Sequence, residues 1–215
     1  MGVPFGKLIC ASNDNKVLYD FFRTGTYDKN REFILTTSPS MDILVSSNLE
    51  RLLYLSCGRD AAKTKAMMEQ LSMNGKYEIT ADMKEFMKDF CAGYADMEEN
   101  AKEIRKVFDD TGYLIDTHTG VAAAVYEQYK AKTGDTTKTV IASTASPYKF
   151  SRSVMEAVLG KKEDADEFAL IDEMERISGV KIPQAIEEIR DAKILHNRQC
   201  KPEEMEETVK QTFSK

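Results

Sequence analysis

The sequence predicts an α/β protein, with part of a parallel sheet, a largely helical middle and a run of C-terminal helices. Three strand-or-turn-to-helix junctions carry that reading. The first spans Thr139 to Phe150. Thr139 to Ala142 is a β-branched and small-residue run that reads as a buried parallel strand, and Ser143 to Ser146 is a polar turn. Pro147 then takes the first helical position, and Phe150, Val154 and Val158 recur every four residues. At the second junction, Lys7 to Ala11 gives a short apolar strand and Ser12 to Asn15 a polar turn. A helical stripe of Val17, Leu18, Phe21 and Phe22 follows and ends at Gly25. The third is Asp116 to Gly120, which opens a helix through Val121, Ala122, Val125, Tyr126 and Tyr129. In open α/β sheets such junctions lie at the carboxyl ends of strands, where ligands are held.

The remaining elements follow in order. Met1-Gly2-Val3-Pro4 reads either as the tail of an absent α segment or as a short N-terminal arm. Ser47 and Glu50 have the spacing of a capping box before Leu49, Leu52 and Leu53. Met67, Met68 and Leu71 mark a second helix, and Met83, Phe86, Met87 and Phe90 a third. Ala101 to Phe108 is a fourth, stopped at Thr111-Gly112. A methionine-rich stripe of this kind is core packing. Beyond Gly160 the chain is charge-dense, with helices marked by Ile171, Met174 and Ile177, by Pro183, Ile186 and Ile189, and by Pro202, Met205, Val209 and Phe213.

Composition narrows the class. The 215 residues are 42% hydrophobic and 31% charged, as in ordinary globular proteins. A net charge of -6 argues against a nucleic-acid partner. The sequence has no run of membrane-span length and no signal-peptide pattern, which points to a cytoplasmic protein. Cys10, Cys57, Cys91 and Cys200 are widely spaced and read as reduced, mostly buried thiols, with no metal site.

Chemistry is sparse in the residues themselves. The eleven glycines form no phosphate cradle, and His118 and His196 are the only histidines. His118, on the first turn of a helix, reads as a capping or core residue at least as readily as a catalytic one. Asp14 and Asp42 read as isolated. The hydroxyls of Ser143, Thr144 and Ser146 suit an uncharged hydrogen-bonding partner such as a ring nitrogen. They suit a structural role more readily still, with Ser146 as an N-cap and the other two as loop filler.

Four segments taken together are more specific. Asn13-Asp14-Asn15 follows a strand, and Ser38-Pro-Ser-Met-Asp-Ile43 precedes Ser47-Asn48-Leu-Glu-Arg51. Asp116-x-His118-x-x-Val121 and Ser143-Thr-Ala-x-Pro-x-Lys-Phe150 follow in that order. Over about residues 3 to 160 the chain resembles the carboxyl half of threonine synthase. The resemblance implies a fold-type II, tryptophan synthase β-like enzyme that uses pyridoxal 5'-phosphate (PLP). Such a carbon–oxygen lyase converts O-phosphohomoserine and water to threonine and phosphate. It implies that Thr144 faces the cofactor's pyridine nitrogen with Ser143 beside it. It places Asn13, Asn15, Ser47, Asn48, Arg51 and His118 at the substrate crevice, where Arg51 suits a phosphate. Many relatives carry His at the position of Ser146, so a role given to that His does not transfer.

The family's Schiff-base lysine, in Phe-Lys-Asp, and its Gly-Asn-Phe-Gly phosphate loop precede the part matched here. The resemblance thus implies no catalytic residue within this chain, a fragment inactive alone, and a missing amino-terminal half as partner. Residues 1–160 would be a partial PLP-binding domain with a helical insert at about 47–110, and residues 161–215 a helical extension. The competing reading is a non-catalytic α/β binding or assembly module that retains the half-fold.

Overall fold

The computed structural model describes residues 4–214. The reading placed on Met1 to Val3 lies outside the described residues. The chain separates into two compact units, residues 1–181 and residues 182–215.

In the first unit, β1 (Leu8–Ser12) leads into α1 (Val17–Thr24), which ends at Gly25 with φ +83°, the left-handed conformation glycine adopts without strain. A short strand β2 (Thr26–Asp28) and a long loop precede α2 (Leu49–Ser56) and α3 (Ala61–Asn74). Next come β3 (Lys76–Glu78), α4 (Ala81–Phe86) and β4 (Phe90–Tyr94). The helices α5 (Met97–Thr111), α6 (Thr117–Thr133), α7 (Ser151–Leu159) and α8 (Glu167–Ser178) complete the unit.

Two strand pairs form. β1 and β4 are parallel, with Leu8 opposite Phe90 and Ser12 opposite Tyr94, while β2 and β3 are antiparallel. Alternate side chains of β1 leave the sheet on opposite faces. Ile9 and Ala11 pack against Val121, Ala124 and Val125 of α6. Leu8 and Cys10 face the side of Leu18 and Phe22 on α1, where Phe22 stacks on Phe90 at 5.5 Å. Both faces are therefore covered, which is why β1 reads as an unbroken apolar run. Gly93 permits this closeness, since a Cβ there would lie 2.5 Å from Val125 Cγ1.

A second core gathers Val17, Phe21, Tyr27, Leu53, Met67 and Met83 with neighbouring apolar residues. The methionine stripe of the middle segment is thus core, as its spacing predicts. α5 packs on α6 and α7, and α8 packs on α7. In the second unit, α9 (Gln184–Arg190) and α10 (Met205–Phe213) form where the apolar spacing predicts helices. Among the described residues no helix is long and apolar enough to cross a membrane.

Four expectations are corrected. Thr139 to Ala142 is not a strand but an irregular segment, and Val140 is 90% exposed. β-branched residues favour extended backbone, but a strand exists only where another supplies its hydrogen bonds. Ser47 and Glu50 form no capping box: α2 begins after Asn48, itself in helical conformation, and Ser46 and Ser47 contribute backbone carbonyls to its first turn. The Met83–Phe90 periodicity breaks after α4. Met83 and Met87 are buried and Phe86 is exposed, but Phe90 opens β4, which the sequence reading absorbed into a helix. The thiols are less buried than expected, with Cys10, Cys57 and Cys91 half-buried and Cys200 exposed.

Candidate functional site: a polar network joining the turns

The carboxyl end of β1 presents Asn13 and Asn15, which are 2% and 3% exposed. Asn13 Oδ1 accepts from Asn15 N at 3.0 Å, fixing the turn between strand and helix. Its Nδ2 reaches Asp42 Oδ1 at 2.7 Å, Thr36 Oγ1 at 2.9 Å and Ser38 Oγ at 3.0 Å. Asn15 grips the same loop through its backbone: Nδ2 donates to the Ile34 carbonyl at 2.7 Å and Oδ1 accepts from Ile34 N at 2.9 Å. Together the two asparagines act as a side-chain clamp on residues 34–42.

Asp42 is the hub of that clamp. The 3-10 turn Pro39–Met41 folds it back over Thr36, whose N–H donates to Oδ2 at 2.9 Å and whose hydroxyl donates to Oδ1 at 2.7 Å. Asn15 Nδ2 adds a bond to Oδ1 at 3.1 Å. A partly buried carboxylate is tolerable because these donors replace water. Asp42 is therefore not isolated, contrary to the sequence reading. Neither is Asp14. Burial, and then the charge of Asp96, push its carboxyl above the ordinary range, and its Oδ2 has no hydrogen-bond partner.

The clamped loop meets the start of α6. Ser40 N donates to His118 Nε2 at 3.1 Å. An amide N–H can only donate, so Nε2 accepts and the ring hydrogen sits on Nδ1, pointed at Asp116 Oδ1 3.0 Å away. Both ring nitrogens are thus engaged. Asp116, 0% exposed, also accepts from His118 N at 2.8 Å as the N-cap of α6. Its negative charge sits at the positive end of the helix dipole. Thr119 Oγ1 donates to Asp116 Oδ2 and is hydrogen-bonded to Ser143 Oγ at 3.0 Å. Phe150 packs on the His118 ring at 4.7 Å between centroids.

The structure therefore brings Asn13, Asn15, His118 and Ser143 into one hydrogen-bonded chain. It runs from β1 through loop 34–42 and the start of α6 to the turn before Pro147. Ser146 caps the 3-10 turn Pro147–Phe150 that follows, accepting from Tyr148 N at 3.3 Å. Thr144 is exposed, one residue beyond the end of the chain of bonds. Ser47, Asn48 and Arg51 form a separate exposed group at the start of α2, in which Arg51 Nη2 donates to Asn48 Oδ1 at 2.7 Å.

Sequence reasoning named none of the linking residues Thr36, Ser38, Asp42, Asp116 and Thr119 as a site residue, although Ser38, Asp42 and Asp116 stand in the segments that carry the resemblance. Asp116 also precedes Thr119 at N-cap spacing. Chemically the arrangement is a rigid set of neutral hydrogen-bonding groups and buried, compensated carboxylates. It can position a ligand and hold a loop still.

Fold and site together define the class. The chain has an α/β fold of the fold-type II kind, the architecture of its solved neighbours. Residues 119–197 match the family described as threonine synthase, C-terminal. The chain is 32% identical to the threonine synthase of Saccharomyces cerevisiae, over 92% of this chain and 41% of that protein. It is 38% identical to human threonine synthase-like 1, over 74% of this chain and 21% of that protein. The crystal structure of PLP-bound threonine synthase from Brucella melitensis superposes with a TM-score of 0.68 at 32% identity, over 84% of this chain and 42% of that one. The chain is a relative of the threonine synthases, and the likeness falls on their carboxyl-terminal part. It spans about two fifths or less of these relatives.

Proposed function

We propose that this chain is the carboxyl half of a threonine synthase, a PLP-dependent lyase that converts O-phosphohomoserine and water to threonine and inorganic phosphate. In this reading it works with an amino-terminal half that supplies the cofactor lysine and the phosphate loop. The observation that supports it is the hydrogen-bonded chain from Asn13 to Ser143, which gathers residues of all four resemblance segments except the Ser47–Arg51 group.

When bound, PLP supplies an electron sink for the carbanionic character that develops beside the substrate's amino group. The protein residues have positioning tasks. Thr144 offers a neutral hydroxyl to the pyridine nitrogen, and Ser143, tethered to Thr119, fixes the turn that carries it. The residues present fit the cofactor to this extent: an exposed hydroxyl stands on an anchored turn, with no charged side chain among Ser143 to Ser146. Arg51, with Ser47 and Asn48, offers a guanidinium and short polar groups to the phosphate of the substrate. Asn13 and Asn15 keep loop 34–42 against the crevice, and His118, its hydrogen on Nδ1, ties that loop to α6.

The test is phosphate release from O-phosphohomoserine by this chain coexpressed with the amino-terminal half of a threonine synthase. Turnover in the reconstituted pair, lost on Arg51→Ala, supports the reading. A soluble, PLP-loaded pair with no phosphate release would favour the non-catalytic binding or assembly module.

A further inference from the structure

His118 is buried, and its two ring nitrogens are held from different elements. Nδ1–H points to Asp116 Oδ1 at 3.0 Å on α6, and Nε2 accepts from Ser40 N at 3.1 Å on the loop. The second bond requires a neutral ring. An imidazolium carries a hydrogen on each nitrogen, so its Nε2–H would face the Ser40 N–H, donor against donor. Asp116 acts in the opposite sense, because a carboxylate beside the ring favours the charged form. One partner thus accepts the charge and the other refuses it. Among the described residues the hydrogen-bonding and ring neighbours of His118 are Asp116, Thr117, Ser40 and Phe150, of which Asp116 alone is charged. Asp42, two residues from Ser40, has its carboxylate on Thr36, Asn13 and Asn15.

We propose that His118 is a pH-operated latch between α6 and loop 34–42: the neutral ring holds Ser40, and protonation releases it. The released form binds the proton more tightly, since Nε2–H is then free to bond water while Nδ1–H stays on Asp116. Linkage requires that such a form gain population as pH falls. Pro39 and Ser40 are exposed, so Ser40 swings out without displacing a core side chain. The rest of the loop stays clamped. Asn15 keeps both backbone bonds to Ile34, and Thr36 N remains on Asp42 Oδ2. Acid therefore loosens the 3-10 turn Pro39–Met41 and leaves the asparagine clamp in place. The latch is a property of this fold and does not rest on the reaction proposed above.

The experiment is hydrogen–deuterium exchange of the full 215-residue chain read by mass spectrometry, which tolerates self-association. Amide rates are compared at about pH 5 and about pH 8, the range across which imidazole ordinarily changes charge, after correction for the intrinsic pH dependence of exchange. The amides of residues 40–42 are expected to lose roughly tenfold in protection at the lower pH, the order of one lost hydrogen bond. Those of residues 34–36 and of the interior of α6 are expected to hold. His118→Gln places a carbonyl oxygen where it accepts from Ser40 N at either pH, so residues 40–42 should stay protected at both. His118→Phe keeps a ring beside Phe150 without an acceptor and should leave them open at both. Unchanged protection of residues 40–42 in the unsubstituted chain would overturn the proposal. So would the same acid loss in His118→Gln, or a loss shared equally by Thr36, since either assigns the effect to a carboxylate such as Asp42.

Discussion

Thr144 and Asp14 show how differently two polar residues near one site are treated. Thr144 is exposed and outside the hydrogen-bonded chain, so its hydroxyl contributes little to holding this chain together. In a complete threonine synthase, Thr144→Val keeps the side-chain shape and removes the proposed donor to the pyridine nitrogen. An unmade bond of that kind costs about 1–3 kcal/mol, or roughly five- to 150-fold in rate. The expected outcome is that loss in phosphate release with an unchanged melting temperature. Equal losses of activity and stability, with the cofactor spectrum unaltered, would reduce Thr144 to packing. Asp14 carries the opposite balance. Its folded-state pKa is raised, chiefly by burial and then by Asp96, so the folded chain holds that proton more tightly than the unfolded chain does. The penalty of its charge is absent below the ordinary carboxylate range and sets in as pH rises through the raised value. Asp14→Asn is therefore expected to raise the melting temperature at neutral pH and to leave it unchanged in acid. Scanning calorimetry at the two pH values checks the sign. The Cys10 thiol is also displaced, pushed up to about 11 by burial and by Cys91. Thiolate is the reactive form, so iodoacetamide at neutral pH should modify exposed Cys200 well before Cys10.

At the scale of elements, α6 is set by what its first turn permits. Small residues there leave open in the sequence whether the sheet or a ligand comes close. In the structure the neighbour is another helix: a Cβ at Gly120 would lie 2.2 Å from Asn100 Oδ1 and 2.7 Å from Ile104 Cγ1 on α5. Two effects oppose each other in Gly120→Ala. Helix propensity favours alanine by about 1 kcal/mol. Overpacking against two buried α5 side chains costs about 1–3 kcal/mol. Packing wins. Urea denaturation should show a net loss of stability, and a gain would mean that α5 and α6 slide apart freely. The segment 139–142 makes the complementary point: its composition suits a strand, yet no strand forms, because extended backbone without a paired neighbour has no reason to persist.

For the whole molecule, the distribution of apolar surface matters most. Among the described residues β1 pairs only with β4, which leaves its other edge without a strand. Apolar side chains also stand in solvent, with Phe5 69% exposed and Leu35 79% exposed. Open edges and apolar patches template association. The isolated chain is therefore expected to run as oligomers or aggregates in size-exclusion chromatography with light scattering. Coexpression with the amino-terminal half of a threonine synthase should restore a discrete species. A monodisperse, cooperatively melting monomer would instead show that the half-fold is self-sufficient. Incubation of the chain alone with PLP and borohydride, followed by peptide mapping, should leave no lysine stoichiometrically modified, since no lysine here lies between Phe and Asp. One labelled lysine would refute that expectation.

What the sequence determined by itself is local. The stripes of α1 and α5 to α8, the N-cap role of Ser146 and the methionine core follow from periodicity and capping chemistry, which act over a few residues. The four short segments likewise identify the relationship to threonine synthases, because side-chain identity at fixed spacing survives without any knowledge of contacts. Tertiary structure decided the rest. β4 was hidden because Phe90 continues a helical spacing by coincidence, and only pairing with β1 makes it a strand. Asp116 holds only its own first helical turn, a local pattern, but Asp42 became a hub because Asn13, 29 residues away, and Asn15, 27 residues away, converge on it. A carboxylate's partners depend on where the backbone returns, and no local pattern records that.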